Sequence, residues 1–136
     1  MKKPYIRSIS LIILISAICN LITGQVPADY NSKTSKIRIQ DKKGNLIINI
    51  DCRNRCVINY VETLGNAVVS NKKGVYSSIK SKGKLFTTRS LIMSPKVIID
   101  KDTIVIDGIV FGEKGRRVFE KWIFRADSEY IDWTIE

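Results

Sequence analysis

From residue 36 onwards, apolar side chains tend to recur at every second position, which is the spacing of a half-buried β-strand. Turn-forming stretches such as DKKGN and SKGK separate the apolar runs, and none of the runs keeps a helical period for three turns. The pattern predicts an all-β protein, an antiparallel β-sandwich, with a barrel as the alternative. The predicted strands are KIRIQ, LIINI, CVINYV, GVYSSIK, KLFTT, KVII, TIVIDGIVF, VFEKWIFR and YIDWTI.

The last two runs each have one apolar face. Ile131, Trp133 and Ile135 share one side of the final run, and Trp122 and Phe124 share one side of the run before it. We expect both tryptophans in the core because they lie on these faces. A closing strand with three large apolar residues is prone to association unless it is covered. We therefore expect a missing C-terminal domain to cover it, which would make this sandwich an incomplete one.

The first 24 residues have the layout of a secretory signal peptide. MKKPYIR is basic, ISLIILISAICNLI is almost entirely apolar, and Gly24 comes directly before a polar stretch. One alternative is an uncleaved membrane anchor, although a span needs about 20 apolar residues. Another alternative is lipidation at Cys19. We predict cleavage after Gly24, no transmembrane span in the mature chain, and export to the periplasm, the outer surface or the medium.

Residues 25–35, QVPADYNSKTS, are polar and contain one proline, so they are predicted to be a linker. A chain of 136 residues has room for one domain. The predicted organisation is therefore a signal peptide at 1–24, a linker at 25–35 and a β-sandwich domain at 36–136.

Charge is unevenly distributed over the predicted domain. Residues 33–96 contain 14 lysines and arginines but only three acids, whereas residues 97–136 contain six basic and nine acidic residues. A basic face attracts polyanions. For an exported protein these are acidic polysaccharides, teichoic acid or lipid phosphate, and not nucleic acid. The alternative, which the many lysines beside turn glycines favour, is that the charges solvate turns and strand edges.

Cys52 and Cys56 enclose only three residues. A metal site would need two further ligands, but the chain has no histidine, and its one other cysteine is in the predicted leader. In an oxidising compartment a disulfide is the simplest interpretation, and a hairpin would bring the two Cα atoms close enough to form it. We predict a Cys52–Cys56 disulfide, with two free buried thiols as the alternative, and no metal.

The sequence offers little for catalysis. A Ser-His or Cys-His pair is impossible without histidine, and GEKGRR lacks the spacing of a nucleotide-binding loop. The closely spaced acids Asp100 and Asp102 belong to a predicted turn, where acids are common for structural reasons. We predict no cofactor and no complete active site in this chain.

A carbohydrate site usually combines an aromatic ring with carboxylate and guanidinium groups that bind sugar hydroxyls. Side chains of these kinds are present near the end of the chain, on the polar faces of the last two runs and in the turn between them. The predicted carbohydrate contacts are Tyr130, Arg125, Asp127 and Asp132.

The leader that ends in ITG resembles those of exported Bacteroidetes proteins. The stretch RRVFEKWIFRADSEYIDWTIE resembles strands of the amino-terminal β-sandwich of large exported glycoside hydrolases from such bacteria, a supersandwich of the galactose-mutarotase-like kind. In that family a helical toroid with the catalytic acids follows the sandwich. The resemblance covers residues 36–136 and implies a non-catalytic part of such an enzyme, so no catalytic residue carries over.

Two functions are consistent with these features. The leading hypothesis is the non-catalytic amino-terminal β-sandwich of a secreted carbohydrate-active enzyme, with a polysaccharide or oligosaccharide as its partner. The alternative is a free-standing exported binding or adhesion module whose basic half holds an acidic glycan or a cell-surface polymer. Retention on heparin or pectin that weakens with salt would support the second hypothesis.

Overall fold

A computed structural model describes residues 28–136, and the secondary structure of that part is entirely β. The predicted signal peptide and Cys19 lie outside the described residues. In the described part there is no long apolar helix of the kind that crosses a membrane. The strands are β1 (Ala28–Asn31), β2 (Lys36–Gln40), β3 (Leu46–Asp51), β4 (Val57–Thr63), β5 (Asn66–Val75), β6 (Ser78–Ser81), β7 (Lys84–Thr87), β8 (Lys96–Asp100), β9 (Thr103–Glu113), β10 (Arg116–Ala126) and β11 (Ile131–Ile135).

The strands form two main antiparallel sheets. The first sheet contains β1 to β5 in chain order, and the second has the order β11-β10-β9-β8. A separate hairpin consists of β6 and β7. Because hairpin connections link neighbouring strands, both sheets can be built from local turns. The predicted all-β antiparallel sandwich is confirmed.

Period-two alternation explains how the two sheets share one core. In β2, Ile37 and Ile39 face inwards while Lys36 and Arg38 face solvent. Burying one such isoleucine fully is worth about 1.5–3 kcal/mol relative to leaving it exposed. Buried side chains from both sheets form a single cluster, which includes Ile37, Ile39, Ile50, Ile104, Ile106, Ile109, Phe111, Trp122 and Phe124.

The two tryptophans differ in their burial. Trp122 is fully buried, as expected, and its indole Nε1 donates to Glu120 Oε2 at 2.9 Å. Glu120 Oε1 in turn accepts from Ser77 Oγ at 2.6 Å. Trp133 stacks on Phe124 with ring centroids 5.7 Å apart, yet 37% of it stays exposed. The expectation of a buried core position therefore holds fully for Trp122 and only in part for Trp133.

The predicted linker at 25–35 requires a correction in its described part. Ala28–Asn31 is strand β1, and its four residues pair with β2 from Ile39 to Lys36. Ala28 is buried and Tyr30 packs against the core cluster, so this segment follows the same alternation as the other strands. A short turn then leads into β2, with Asn31 Oδ1 accepting from the Thr34 amide at 3.1 Å.

The predicted disulfide is also corrected, because Cys52 and Cys56 are free thiols in the structure. Both are buried in the core cluster, where a thiol packs like a small apolar side chain. The Cys56 thiol is hydrogen-bonded to Cys52, and burial is the main cause that raises its pKa. The alternative of two free buried thiols describes this pair.

We expect Cys52 and Cys56 to resist iodoacetamide in the folded protein at neutral pH. The thiolate is the reactive form, and the raised pKa of Cys56 keeps that thiol protonated while burial shields both groups. Peptide mapping by mass spectrometry should show both residues labelled only after unfolding. Labelling in the native state, or a disulfide-linked 52–56 peptide, would contradict this.

Candidate functional site

A groove of about 530 Å³ lies on the outer face of the five-stranded sheet. Its floor is the solvent-facing side of the strands, opposite the face that packs against the core. Residues from all five strands line it, together with Thr34 and Arg55 from the turns. A concave surface lined by polar and charged side chains is the usual form of a binding site, and this groove is therefore the candidate functional site.

One cross-strand row forms the middle of the floor. Residues that pair directly in antiparallel strands point to the same face of the sheet, so the pairing register identifies the row. It crosses four strand spacings, which corresponds to about 19 Å. Its members, one from each strand in order from β1 to β5, are Asp29, Arg38, Asn49, Tyr60 and Ser70.

Arg55 lines one end of the groove and is held in place by its neighbours. Its Nε and one terminal nitrogen donate to Asp51 Oδ2 at 2.9 and 2.5 Å. The other terminal nitrogen lies 3.4 Å from the Lys72 carbonyl oxygen. The Asp51 carboxylate balances the charge of this guanidinium, so Arg55 shapes the groove as an ordered, charge-balanced group.

An irregularity in β5 builds one wall of the groove. Ser70 pairs with Tyr60 and Val75 pairs with Ile58, so residues 71–74 have no partners in the β4–β5 register. The Gly74 amide donates to Asn71 Oδ1 at 2.7 Å, which closes the bulge on itself. Bulges of this kind redirect side chains, and here the groove gains Asn71 and Lys72 as lining residues.

The groove is positively charged. One carboxylate, that of Asp29, lines it, whereas the cations that line it are Lys36, Arg38, Arg55 and Lys72. This arrangement attracts anions and raises their local concentration. The phenol of Tyr60 donates to Glu62, and this hydrogen bond raises the pKa of Tyr60, so the ring is neutral at physiological pH.

The chemistry of the lining suits binding. Its amide and hydroxyl groups both donate and accept hydrogen bonds, as hydroxyl-rich ligands require, and its lysines and arginines pair with carboxylates. A single lining carboxylate does not make the acid pair that a glycosidase needs. Within residues 28–136, no group of three or more potential metal ligands comes together.

The four carbohydrate contacts predicted from the sequence lie elsewhere, at the β10–β11 turn, and form two pairs. Arg125 and Asp132 are opposite each other in the β10–β11 register. The Ser128 amide and the Tyr130 phenol both donate to Asp127 and lower its pKa, and the bond to Asp127 raises the pKa of Tyr130. None of the four lines the groove.

The same turn is tied to the rest of the sandwich. The Lys42 amide donates to the Asp127 carbonyl at 2.7 Å, and Lys42 Nζ pairs with Asp102 at 2.9 Å. This ion pair raises the pKa of Lys42. Lys43 forms a further ion pair with Glu129. Two acids of this end, Asp102 and Glu129, are thus paired with lysines of the β2–β3 turn.

Sequence reasoning missed the groove residues as a site. Their one sign in the sequence is the excess of lysine and arginine between residues 33 and 96, for which solvation of turns and strand edges is the favoured interpretation. Lys36 and Arg38 instead sit at alternate positions of β2, on the face that forms the floor. The alternation in KIRIQ places these two cations on the solvent-facing side of a strand, although it does not show which neighbouring strands complete the groove.

Comparison of the chain with protein-family models found no match, and comparisons with curated proteins and with solved structures found none either. The resemblance to glycoside hydrolase sandwiches therefore stays a prediction. The function has to be argued from the groove and its chemistry.

Proposed function

We propose that this chain is a non-catalytic carbohydrate-binding β-sandwich and that its groove binds an acidic polysaccharide. The proposal takes the chain as exported, as its predicted leader implies. One observation carries it, namely a continuous row of polar and aromatic side chains across all five strands, flanked by cations.

The shape of the row favours a polymer over a small ion. A floor of about 19 Å, or four strand spacings, accommodates several linked sugar rings lying across the strands. Tyr60 sits between Asn49 and Ser70 in the row, where its ring would stack on one sugar face. Arg38 and Lys36, on β2 and two strands away from Tyr60, would pair with carboxylates of the same polymer.

The proposal predicts binding to polygalacturonate that weakens as salt is raised. Replacing Lys36 and Arg38 together by alanine should weaken binding at least about tenfold, because the loss of even one charge-assisted contact worth about 1.5–3 kcal/mol has an effect of that size. Isothermal titration calorimetry or affinity electrophoresis against polygalacturonate would measure the loss. The matched control is Lys80→Ala with Lys96→Ala, which removes the same charge from strands outside the groove.

A second variant separates sugar recognition from simple charge attraction. Tyr60→Ala should weaken binding to polygalacturonate but leave binding to inorganic polyphosphate unchanged, because only the sugar offers a face for stacking. Equal losses for the groove pair and the control pair, or equal affinity for both polymers in every variant, would overturn the proposal.

A second candidate function is the non-catalytic amino-terminal sandwich of a larger carbohydrate-active enzyme. The observation that favours it is the last strand, where Trp133 and Ile135 remain 37% and 44% exposed. A following domain would cover these side chains. Coding sequence that continues in frame beyond Glu136 into a helical domain would support this candidate, and a stop codon at that point would remove it.

A further inference from the structure

The two sheets have four edge strands, and three of them are protected. β1 has only four residues, β5 is bulged and contains Lys72 and Lys73, and β8 follows Pro95 and begins with Lys96. Short length, bulges, proline and lysine are the usual devices that prevent strand addition at an edge. β11 contains no lysine, proline or bulge, is one residue longer than β1, and pairs with its neighbour without irregularity.

The hydrogen-bond pattern shows which backbone groups β11 leaves open. Glu136 and Lys121 exchange both backbone hydrogen bonds at 2.9 Å, so this pair is a closely bonded one. Bonding alternates along an antiparallel strand, and Thr134 and Asp132 therefore also bond to β10. The amides and carbonyls of Ile131, Trp133 and Ile135 point away from β10, towards the open edge.

The side chains of β11 make this edge apolar and free of unbalanced charge. Trp133 packs edge-on against Trp122 at 4.9 Å and stacks on Phe124, but a third of it stays exposed. The acid Asp132 lies opposite Arg125. The Lys121 ammonium pairs with the Glu136 carboxylate, which raises the pKa of Lys121.

We propose that β11 pairs antiparallel with β11 of a second copy of this chain, with Trp133 opposite Trp133. In this register Ile131 lies opposite Ile135, and Asp132 lies opposite Thr134, so no like charges face each other. All open amides and carbonyls of the strand then find a partner. Registers centred two residues away in either direction would pair fewer of the residues from 131 to 135.

The symmetry of this pairing has a consequence for the groove. Identical antiparallel strands are related by a two-fold axis perpendicular to the sheet, so both copies turn the same face of the four-stranded sheet to the same side. The five-stranded sheet packs on that face, and its groove lies on the far side. Both grooves of the dimer therefore face the same way, and, if the proposed function holds, one polymer would occupy both with a gain in avidity.

Sedimentation velocity of the purified chain over a wide range of concentration tests the pairing. A contact over one short strand falls in the small, reversible class of interfaces, so the average mass should rise with concentration towards twice the monomer mass. Ile135→Pro removes one open amide without touching the bonds to β10, and it should keep the protein monomeric. The matched variant Ile135→Val retains that amide and should still dimerise.

Two further variants complete the test. Ile98→Lys alters the opposite edge of the same sheet, on β8, and should leave the dimer unchanged. If Ile135→Pro lowers the unfolding midpoint, Ile135→Lys gives the same information, because the lysine would face Ile131 of the second copy.

The possible results are distinct. A monomer at every concentration would overturn the proposal and leave the β11 edge to another chain or to a following domain. A dimer that persists in both Ile135→Pro and Ile135→Lys would show that a different surface mediates association, and it would overturn the proposal too. Neither result depends on the polysaccharide experiments, so failure of the dimer and failure of the proposed function are separable.

Discussion

Gly112→Ala is expected to destabilise the protein by about 2–5 kcal/mol, the sum of a strained backbone and an overpacked site. Gly112 has a φ of 116°, in the region that side chains rarely adopt. A Cβ atom at this position would lie 2.2 Å from the Arg116 carbonyl oxygen. That oxygen belongs to the start of β10, so the clash can only be relieved by moving the β9–β10 hairpin, which carries much of the core.

Gly115→Ala is the matched control for this prediction. Gly115 belongs to the turn of the same hairpin and also has a positive φ, 83°, but a Cβ there would have no atom within 4 Å. Gly115→Ala should lower the free energy of unfolding by about 1–2 kcal/mol, which is the contribution of backbone strain alone. Urea unfolding followed by tryptophan fluorescence would compare the two variants. Similar losses would mean that backbone strain, and not the contact with Arg116, explains the need for glycine at 112.

Thr88→Val is expected to lower the free energy of unfolding by about 2–4 kcal/mol, because it leaves two backbone groups without hydrogen-bond partners. Thr88 is fully buried, and its Oγ1 donates to the Cys56 carbonyl at 2.8 Å and accepts from the Ser77 amide at 3.2 Å. Valine has nearly the same volume, so the loss would measure the hydroxyl and not a cavity. The backbone bonds of Thr88 to Cys56 and Ser77 stay available in the variant.

The neighbouring Thr87→Val is the control. Thr87 Oγ1 accepts from the Arg89 amide at 3.3 Å in an exposed setting, where water replaces the lost partner. We expect the free energy of unfolding to change by less than about 0.5 kcal/mol, as for most surface substitutions. Urea unfolding of both variants is the measurement. Equal losses of stability at positions 87 and 88 would show that the Thr88 hydroxyl does not link the backbone at Cys56 to the backbone at Ser77 as described.

Local sequence was enough to predict most of the strands. KIRIQ coincides with β2, and LIINI, KVII and YIDWTI each match a strand within one residue at either end. The reason is that a strand with one buried face must place apolar residues at every second position, whatever it pairs with. Turns with glycine between the runs then mark the ends, as at Gly44 and Gly83, which both have positive φ.

The strands that the sequence did not indicate are those that do not bury an apolar residue at every second position. β5 is exposed over most of its length, because it is a sheet edge and contains the 71–74 bulge. β1 is short and contributes only Ala28 and Tyr30 to the core. In both cases pairing with a neighbouring strand, and not the segment's own hydrophobicity, determines the structure.

The groove was out of reach of sequence reasoning for a different reason. Asp29, Arg38, Asn49, Tyr60 and Ser70 are about ten residues apart along the chain, and only the register of four strand pairs brings them into one row. That register is shifted at β4, where the ladder is irregular between Ile58 and Tyr60. A shift of one residue would turn a whole strand's side chains to the other face, so the row cannot be derived from spacing alone.

The bulge at residues 71–74 has a consequence for how this protein could diversify. It lies in an edge strand, outside the ladder, and its conformation depends on the local contact between Asn71 and Gly74. Insertions or deletions there would reshape one wall of the groove while the isoleucine and aromatic core stayed as it is. Related chains would then recognise different ligands with an unchanged scaffold, much as antibody loops vary on a constant framework.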